Sequence, residues 1–225
     1  MQRHFIDELE ALKKRLIRMG SFAEQAIADA ITALLQRRKD LAEQVIARDP
    51  QINDLEVEID DAVVDLLALQ QPVAADLRFI VAALKINTAV ERIGDHAVNI
   101  AESARQYAIG TDITIDPDIP RMADIAKEML RNVIDGFIHG DPSLCRKVLA
   151  SDDQIDELNR KVYRDLAAMI RENPPTVDQA LELMRVSRNL ERVADLATNI
   201  AEDVIFMAEA HVVKHHHEQG NPRPA

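Results

Sequence analysis

Apolar residues recur every three or four positions along most of this 225-residue chain, the spacing of one face of an α-helix. The stripe Leu9, Leu12, Leu16, Met19, Ala23, Ile27 and Ile31 predicts a first helix over about residues 3–36. Asp40 is placed as the N-cap of a second. Its stripe of Leu41, Val45, Ile52, Leu55, Ile59, Ala62 and Leu66 runs on across Pro50, which predicts a kink there, and Gln71-Pro72 ends it. A third helix, about 74–107, stops before Gly110 and a turn-rich stretch, 111–120, that reads as a domain boundary. The plan then repeats. A helix spans about 122–139, another follows the start signal Gly140-Asp141-Pro142 to about residue 171, and a last runs over about 176–213 after Asn173-Pro174-Pro175. Short links between long amphipathic helices make antiparallel neighbours. The predicted fold is therefore all-α: six long antiparallel helices in two tandem three-helix bundles, residues 1–112 and 118–213. The polar tail 214–225, which begins Lys214-His215-His216-His217, is expected to be disordered.

The two bundles are copies. Residues 91–102, Glu-Arg-Ile-Gly-Asp-His-Ala-Val-Asn-Ile-Ala-Glu, return as residues 191–202, Glu-Arg-Val-Ala-Asp-Leu-Ala-Thr-Asn-Ile-Ala-Glu, with eight of twelve positions identical. Ordinary residue usage gives roughly one chance in fifteen per position, or about one coincidental match. A second pair, residues 49–55 against 152–158, lies about forty residues upstream of each.

Composition narrows the functional classes. A net charge of −12 opposes direct binding to nucleic acid or to an anionic membrane surface. The longest purely apolar run, Phe79 to Leu84, is too short to span a bilayer, and no signal-peptide pattern opens the chain, so a cytoplasmic protein is expected. The one cysteine, Cys145, is expected to be a buried small residue rather than a nucleophile.

Candidate chemistry lies in the repeat. On a helical wheel with Glu91 at zero, Asp95 falls near 40° and Asn99 near 80°, whereas Val90, Ile93, Ala97 and Ile100 cluster at about 160–280°. On the preceding helix Asp49, Asn53, Glu56 and Asp60 likewise share a face away from the apolar stripe, and Asp152, Asp156 and Asn159 repeat this. A solvated surface explains most acidic pairs at this spacing. Here, however, like charges at i,i+4 cost about 0.2–0.5 kcal/mol each, Glu91 has no Lys or Arg one turn away, and the acids recur in both copies. Two such stripes on adjacent helices could share a cation. Carboxylate and amide oxygens alone suit hard ions such as Mg²⁺, Mn²⁺, Ca²⁺ or iron. His96 is expected at the surface, and no Glu-x-x-His supports a ferritin-like di-iron site. Arg92, Arg192, Arg78 and Arg188 border the stripes and read as structural partners of the acids.

These paired motifs, Glu-Arg-[Ile/Val]-x-Asp-x-Ala-x-Asn-Ile on the third helix and Asp-x-x-x-[Asn/Asp] on the second, resemble the PhoU family of phosphate-transport accessory and regulatory proteins, over about residues 3–213. The resemblance implies a bacterial cytoplasmic, dimer-prone regulator. It would link a phosphate ABC transporter, through its ATPase, to a phosphate-sensing histidine kinase, and repress the phosphate-starvation response. It also implies metal sites at Asp49, Asn53, Glu91 and Asp95, and at Asp152, Asp156, Glu191 and Asp195, for a divalent or trivalent hard ion such as Mg, Mn or Fe. Because Asp156 stands where the first site has Asn53, the second site is expected to bind more tightly. Two other readings stay open: a metal-dependent phosphate-ester hydrolase, and a metal-free helical interaction scaffold. No Gly-rich phosphate loop, triad or nucleotide motif is present, and no catalytic residue is assigned.

Overall fold

The structure, a computed structural model, describes residues 2–110 and 113–209, with side chains from His4 onward. The tail 214–225 and the last residues of the sixth predicted helix lie outside the described residues. Regular structure among the described residues is helical throughout: α1 Gln2–Leu35, α2 Lys39–Arg48, α3 Pro50–Gln70, α4 Ala74–Ile109, α5 Asp118–His139, α6 Pro142–Glu172 and α7 Val177–Glu209, with a 3-10 turn at Pro174–Thr176.

Local chemistry sets the ends. Pro50 has no N–H to continue the ladder, so the predicted kink becomes a joint at Asp49, whose dihedrals stay helical (φ −50°, ψ −41°) while its carbonyl accepts from Ile52 N at 2.9 Å. α2 and α3 thus form one jointed rod. Asp40 is not the N-cap. It sits in the first turn of α2, where Arg38 Nη2 donates to it at 2.6 Å, and its charge still favours that helix end. α5 begins four residues earlier than expected because Asp116 Oδ1 accepts from Asp118 N at 2.9 Å and starts the turn. Gly140 ends α5 with φ +62°, a value glycine adopts without strain, and Asp141 caps α6 by accepting from Ser143 N at 2.8 Å.

α4 and α7 form the centre. α4 packs on α1, α2 and α3 on one side and on α7 on the other, while α7 packs on α5 and α6 as well as α4. Lys85 pairs with Asp203, His96 with Asn189, and Gly110 lies against Gln179. Partner numbers fall along α7 as they rise along α4, so the two run antiparallel, and the point where repeat-equivalent residues face each other falls inside the 91–102 motif. Apolar burial is continuous through both units. Ile86, Val90, Ile93, Ala97, Ile100, Val186, Leu190, Val193, Ala197 and Ile200 are all at most 1% exposed, as their stripes require. The units also meet where α1 crosses α5, with Gly20 against Ile134 and Glu24 accepting from Arg131. Within the first unit, Arg37, between α1 and α2, ties down the end of α4 by donating to the Gly110 carbonyl at 2.6 Å while its guanidinium lies 4.9 Å from the Tyr107 ring.

Ile100→Ala should lower unfolding free energy by ~2–5 kcal/mol. Val64→Ala, at a position 62% exposed, should change it by no more than about 0.5 kcal/mol; urea midpoints of the two variants check the contrast.

Candidate functional site

The first acidic cluster joins α3 to α4. Asp49 sits at the α2–α3 joint, where its Oδ2 accepts from Asn53 Nδ2 at 2.9 Å and its Oδ1 is buried without a hydrogen bond. Glu91 is half-buried, and burial first, then the negative charges of Asp95, Glu56 and Asp49, pushes its carboxyl above the usual range against the pull of Arg92. Glu56 is raised in the same way, by burial and by Asp60 and Asp95. Asp49, Glu91 and Asp95 therefore do share one patch, with Asn53 exposed at its edge. Glu56 and Asp60 belong to it as well. Their place on the wheel was visible, but their approach to α4 depends on the angle between the helices. Beneath them the fully buried Asn87 donates to Asp60 Oδ1 at 2.8 Å and to the Glu56 carbonyl at 2.9 Å, fastening α3 to α4. The only signal for this clamp was a polar residue at 87 and at its repeat position, Ser187.

The second cluster, between α6 and α7, differs. Asp152 and Asp156 are half-buried on α6. Glu191 stands at the repeat position of Glu91, whose wheel places the acid opposite the apolar stripe and so predicts an outward side chain here too. Yet Glu191 is only 9% exposed, because α6 and the arginines of α7 cover it. Arg188 Nη1 donates to Glu191 Oε1 at 2.7 Å, Arg192 Nη1 donates to Asp195 Oδ2 at 3.0 Å, and Glu191 Oε2 is buried without a hydrogen bond. Burial, then Asp195, pushes the Glu191 carboxyl up, while Arg188 and Arg192 pull it down. Glu91 and Asp95 have no such arginine bond among the described residues. Ser187 Oγ meets Asn159 Oδ1 at 2.7 Å in the place of the Asn87 clamp.

Among the described residues no three Asp, Glu, His or Cys side chains converge tightly enough, as they stand, to hold a metal ion. Between the two clusters α4 and α7 enclose an open cleft of about 450 Å³, with Asp95 and Asp195 on its walls. His96 is half-buried at this cleft, its Nδ1 2.8 Å from Asn189 Oδ1. Cys145 is buried and its thiol is pushed up to about 12, chiefly by burial, which leaves it unreactive near neutral pH.

The sequence model of the PhoU domain matches residues 16–104 and 119–204, one copy per bundle. The chain belongs to the PhoU family. It is 40% identical over 210 residues to the phosphate-specific transport system accessory protein PhoU homologue of Aquifex aeolicus, which covers 93% of this chain and 95% of that protein. The homologue of the same name from Clostridium acetobutylicum is 34% identical over 204 residues, covering 90% of this chain and 93% of that one. The crystal structure of PhoU from Pseudomonas aeruginosa superposes with a TM-score of 0.88 at 33% identity, over 92% of this chain and all of that chain. The PhoU structure from Streptococcus pneumoniae, 24% identical, shares the fold with a TM-score of 0.87, over 94% of this chain and all of that one.

A carboxyl that holds its proton more tightly when folded than when unfolded gives stability that is present at low pH and lost as pH rises past the ordinary value of 4.5. Glu91→Gln should therefore raise the melting temperature of cation-free protein at pH 7. It should have little effect at about pH 3.5, where the carboxyl is mostly protonated in both states. Thermal scans at the two pH values, with equal shifts in both, would contradict this electrostatic account.

Proposed function

We propose that the protein is a cation-binding regulatory adaptor of a phosphate-specific transport system. What carries this reading is the doubling of a partly buried carboxylate cluster in a chain whose relatives are named accessory proteins of that system. The donor atoms suit a hard cation, since all are oxygen. Asp49 Oδ1 and Glu191 Oε2 are buried without hydrogen bonds, and Glu91, Glu56 and Glu191 hold their protons above the usual range. A bound divalent or trivalent ion such as Mg, Mn or Fe supplies positive charge that relieves this repulsion. Small rotations about the carboxylate side chains would let Asp49, Glu56, Glu91 and Asp95 hold it in the first cluster, with Asn53 at the edge, and Asp152, Asp156, Glu191 and Asp195 in the second.

The order of affinity favoured by this environment is the reverse of the one read from Asn53 and Asp156. Asp49, Glu56, Asp60, Glu91 and Asp95 gather in the first cluster, where Glu91 and Asp95 have no arginine hydrogen bond among the described residues, whereas two of the four acids of the second already pair with arginines. Glu91→Ala with Asp95→Ala should then remove more bound metal than Glu191→Ala with Asp195→Ala, read by elemental analysis of protein purified with and without chelator. Equal losses, or a larger loss from the second pair, would count against the ranking.

As an adaptor in the cytoplasm, the protein links the transporter's ATPase to a phosphate-sensing histidine kinase and represses the phosphate-starvation response, working as a homodimer. No helix among the described residues is long and apolar enough to cross a membrane. The net charge of −12 steers it to basic faces of partners, and exposed Leu77, Val81 and Phe206 offer apolar contact. Deleting its gene should release the starvation response in phosphate-rich medium, and the purified protein should bind the kinase's soluble part or the ATPase without hydrolysing phosphate esters. Metal-dependent phosphatase activity lost on mutating Glu91 and Asp95 would replace the adaptor with the hydrolase reading.

A further inference from the structure

The cleft between α4 and α7 carries a chemistry that the acidic clusters do not use. Its volume of about 450 Å³ lies within the ~300–1,000 Å³ of typical ligand pockets, and both repeats wall it. Arg92 and Arg192 occupy equivalent positions on the two walls, and Asn99 and Asn199 follow two turns later on each helix. The Arg92 guanidinium and both asparagine amides make no hydrogen bond or ion pair among the described residues. Asn189 donates its amide nitrogen to the Arg185 carbonyl at 2.8 Å, so its oxygen faces His96 and the His96 Nδ1 is the donor. That bond fixes the imidazole at the rim.

Two forked guanidiniums facing one open space, with amide donors beyond them, match the geometry by which arginine binds tetrahedral oxyanions. The bare cleft is not yet suited to an anion. Asp95 and Asp195 on its walls cancel the two arginines, and Arg192 is held at 3.0 Å by Asp195 and lies 3.9 Å from Glu191. A cation on the carboxylates would compete for those oxygens, free Arg192 and make the rim positive.

We propose that this cleft binds a free tetrahedral oxyanion of the inorganic phosphate class between Arg92 and Arg192, with Asn99 and Asn199 as further donors, once the adjoining carboxylates carry cations. The proposal rests on the cation-binding reading above. The oxygens of Asp95 and Asp195 that the cations leave open add selectivity, because a carboxylate oxygen accepts a hydrogen bond from hydrogenphosphate but not from sulfate, which has no proton at neutral pH. By linkage, the anion tightens cation binding by the same factor as the cation tightens anion binding.

The test is equilibrium dialysis of full-length, chelator-treated protein against labelled inorganic phosphate, with and without manganese, and with sulfate as competitor. Phosphate should bind the manganese-loaded protein roughly tenfold or more tighter than the cation-free protein, and Arg92→Gln and Arg192→Gln should each weaken it by roughly tenfold. Both arginines are exposed, so the variants should fold and keep their manganese, and Arg92→Lys should restore part of the binding. Manganese-loaded protein that ignores phosphate, or an Arg92→Gln/Arg192→Gln double variant that binds like the parent, would overturn the oxyanion site while leaving the cation reading intact. Failure to take up manganese at all would instead remove the cation reading, and this site with it.

Discussion

A helix that packs on two sides keeps only a narrow strip for polar residues, and α4 and α7 both pack on two sides. On α4, one contact sector holds Gly94, where a Cβ would lie 2.9 Å from Ile52 of α3, and the other holds Lys85 and His96, which reach α7. Glu91 and Asp95 occupy the strip between them. The neighbouring helices overhang that strip, so Glu91 is partly desolvated without entering the apolar core. The same constraint on α7, tightened by α6, buries Glu191. The position of the acids, their raised proton affinity and the cleft between the two strips all follow from the sandwiching of these two helices.

The strip is held at an energetic cost. Like charges one turn apart repel, and desolvation strengthens the repulsion. The two halves answer this differently. In the second, Arg188 and Arg192 bind the acids directly, a local solution that consumes the oxygens. In the first, position 88 is threonine where the second has Arg188, and the repulsion is left uncompensated by any direct arginine bond among the described residues. Natural chains retain such local instability mainly where function needs it.

Much of this was legible in the sequence. Periodicity gave the six rods, because burial on one face forces a 3.6-residue repeat of apolar side chains, and the internal repeat located both motifs before any contact was known. The misses share one cause. A wheel describes a single helix, so it set Glu191 opposite its own apolar stripe and could not represent α6 lying over that side. Glu56 was left out of the site for the same reason, since its link to Asp95 crosses from α3 to α4. Asp40 was misread because Arg38, two residues away, competed for the carboxylate that would otherwise have capped the helix. The joint at Asp49 was foreseen at Pro50, but not that the break would leave one carboxylate oxygen of Asp49 buried and unbonded.

The antiparallel crossing at the motif makes this chain a covalently fused pair of repeat-related halves about an internal dyad. In a true symmetric pair every contact near the axis occurs twice. Here the bond from His96 to Asn189 occurs once, because its mirror positions hold Leu196 and Ala89. Fusion has thus released the two sides from the rule that whatever is gained on one must be copied on the other. One half can specialise in self-neutralised rigidity and the other in responsiveness, a division of labour closed to any assembly of identical subunits.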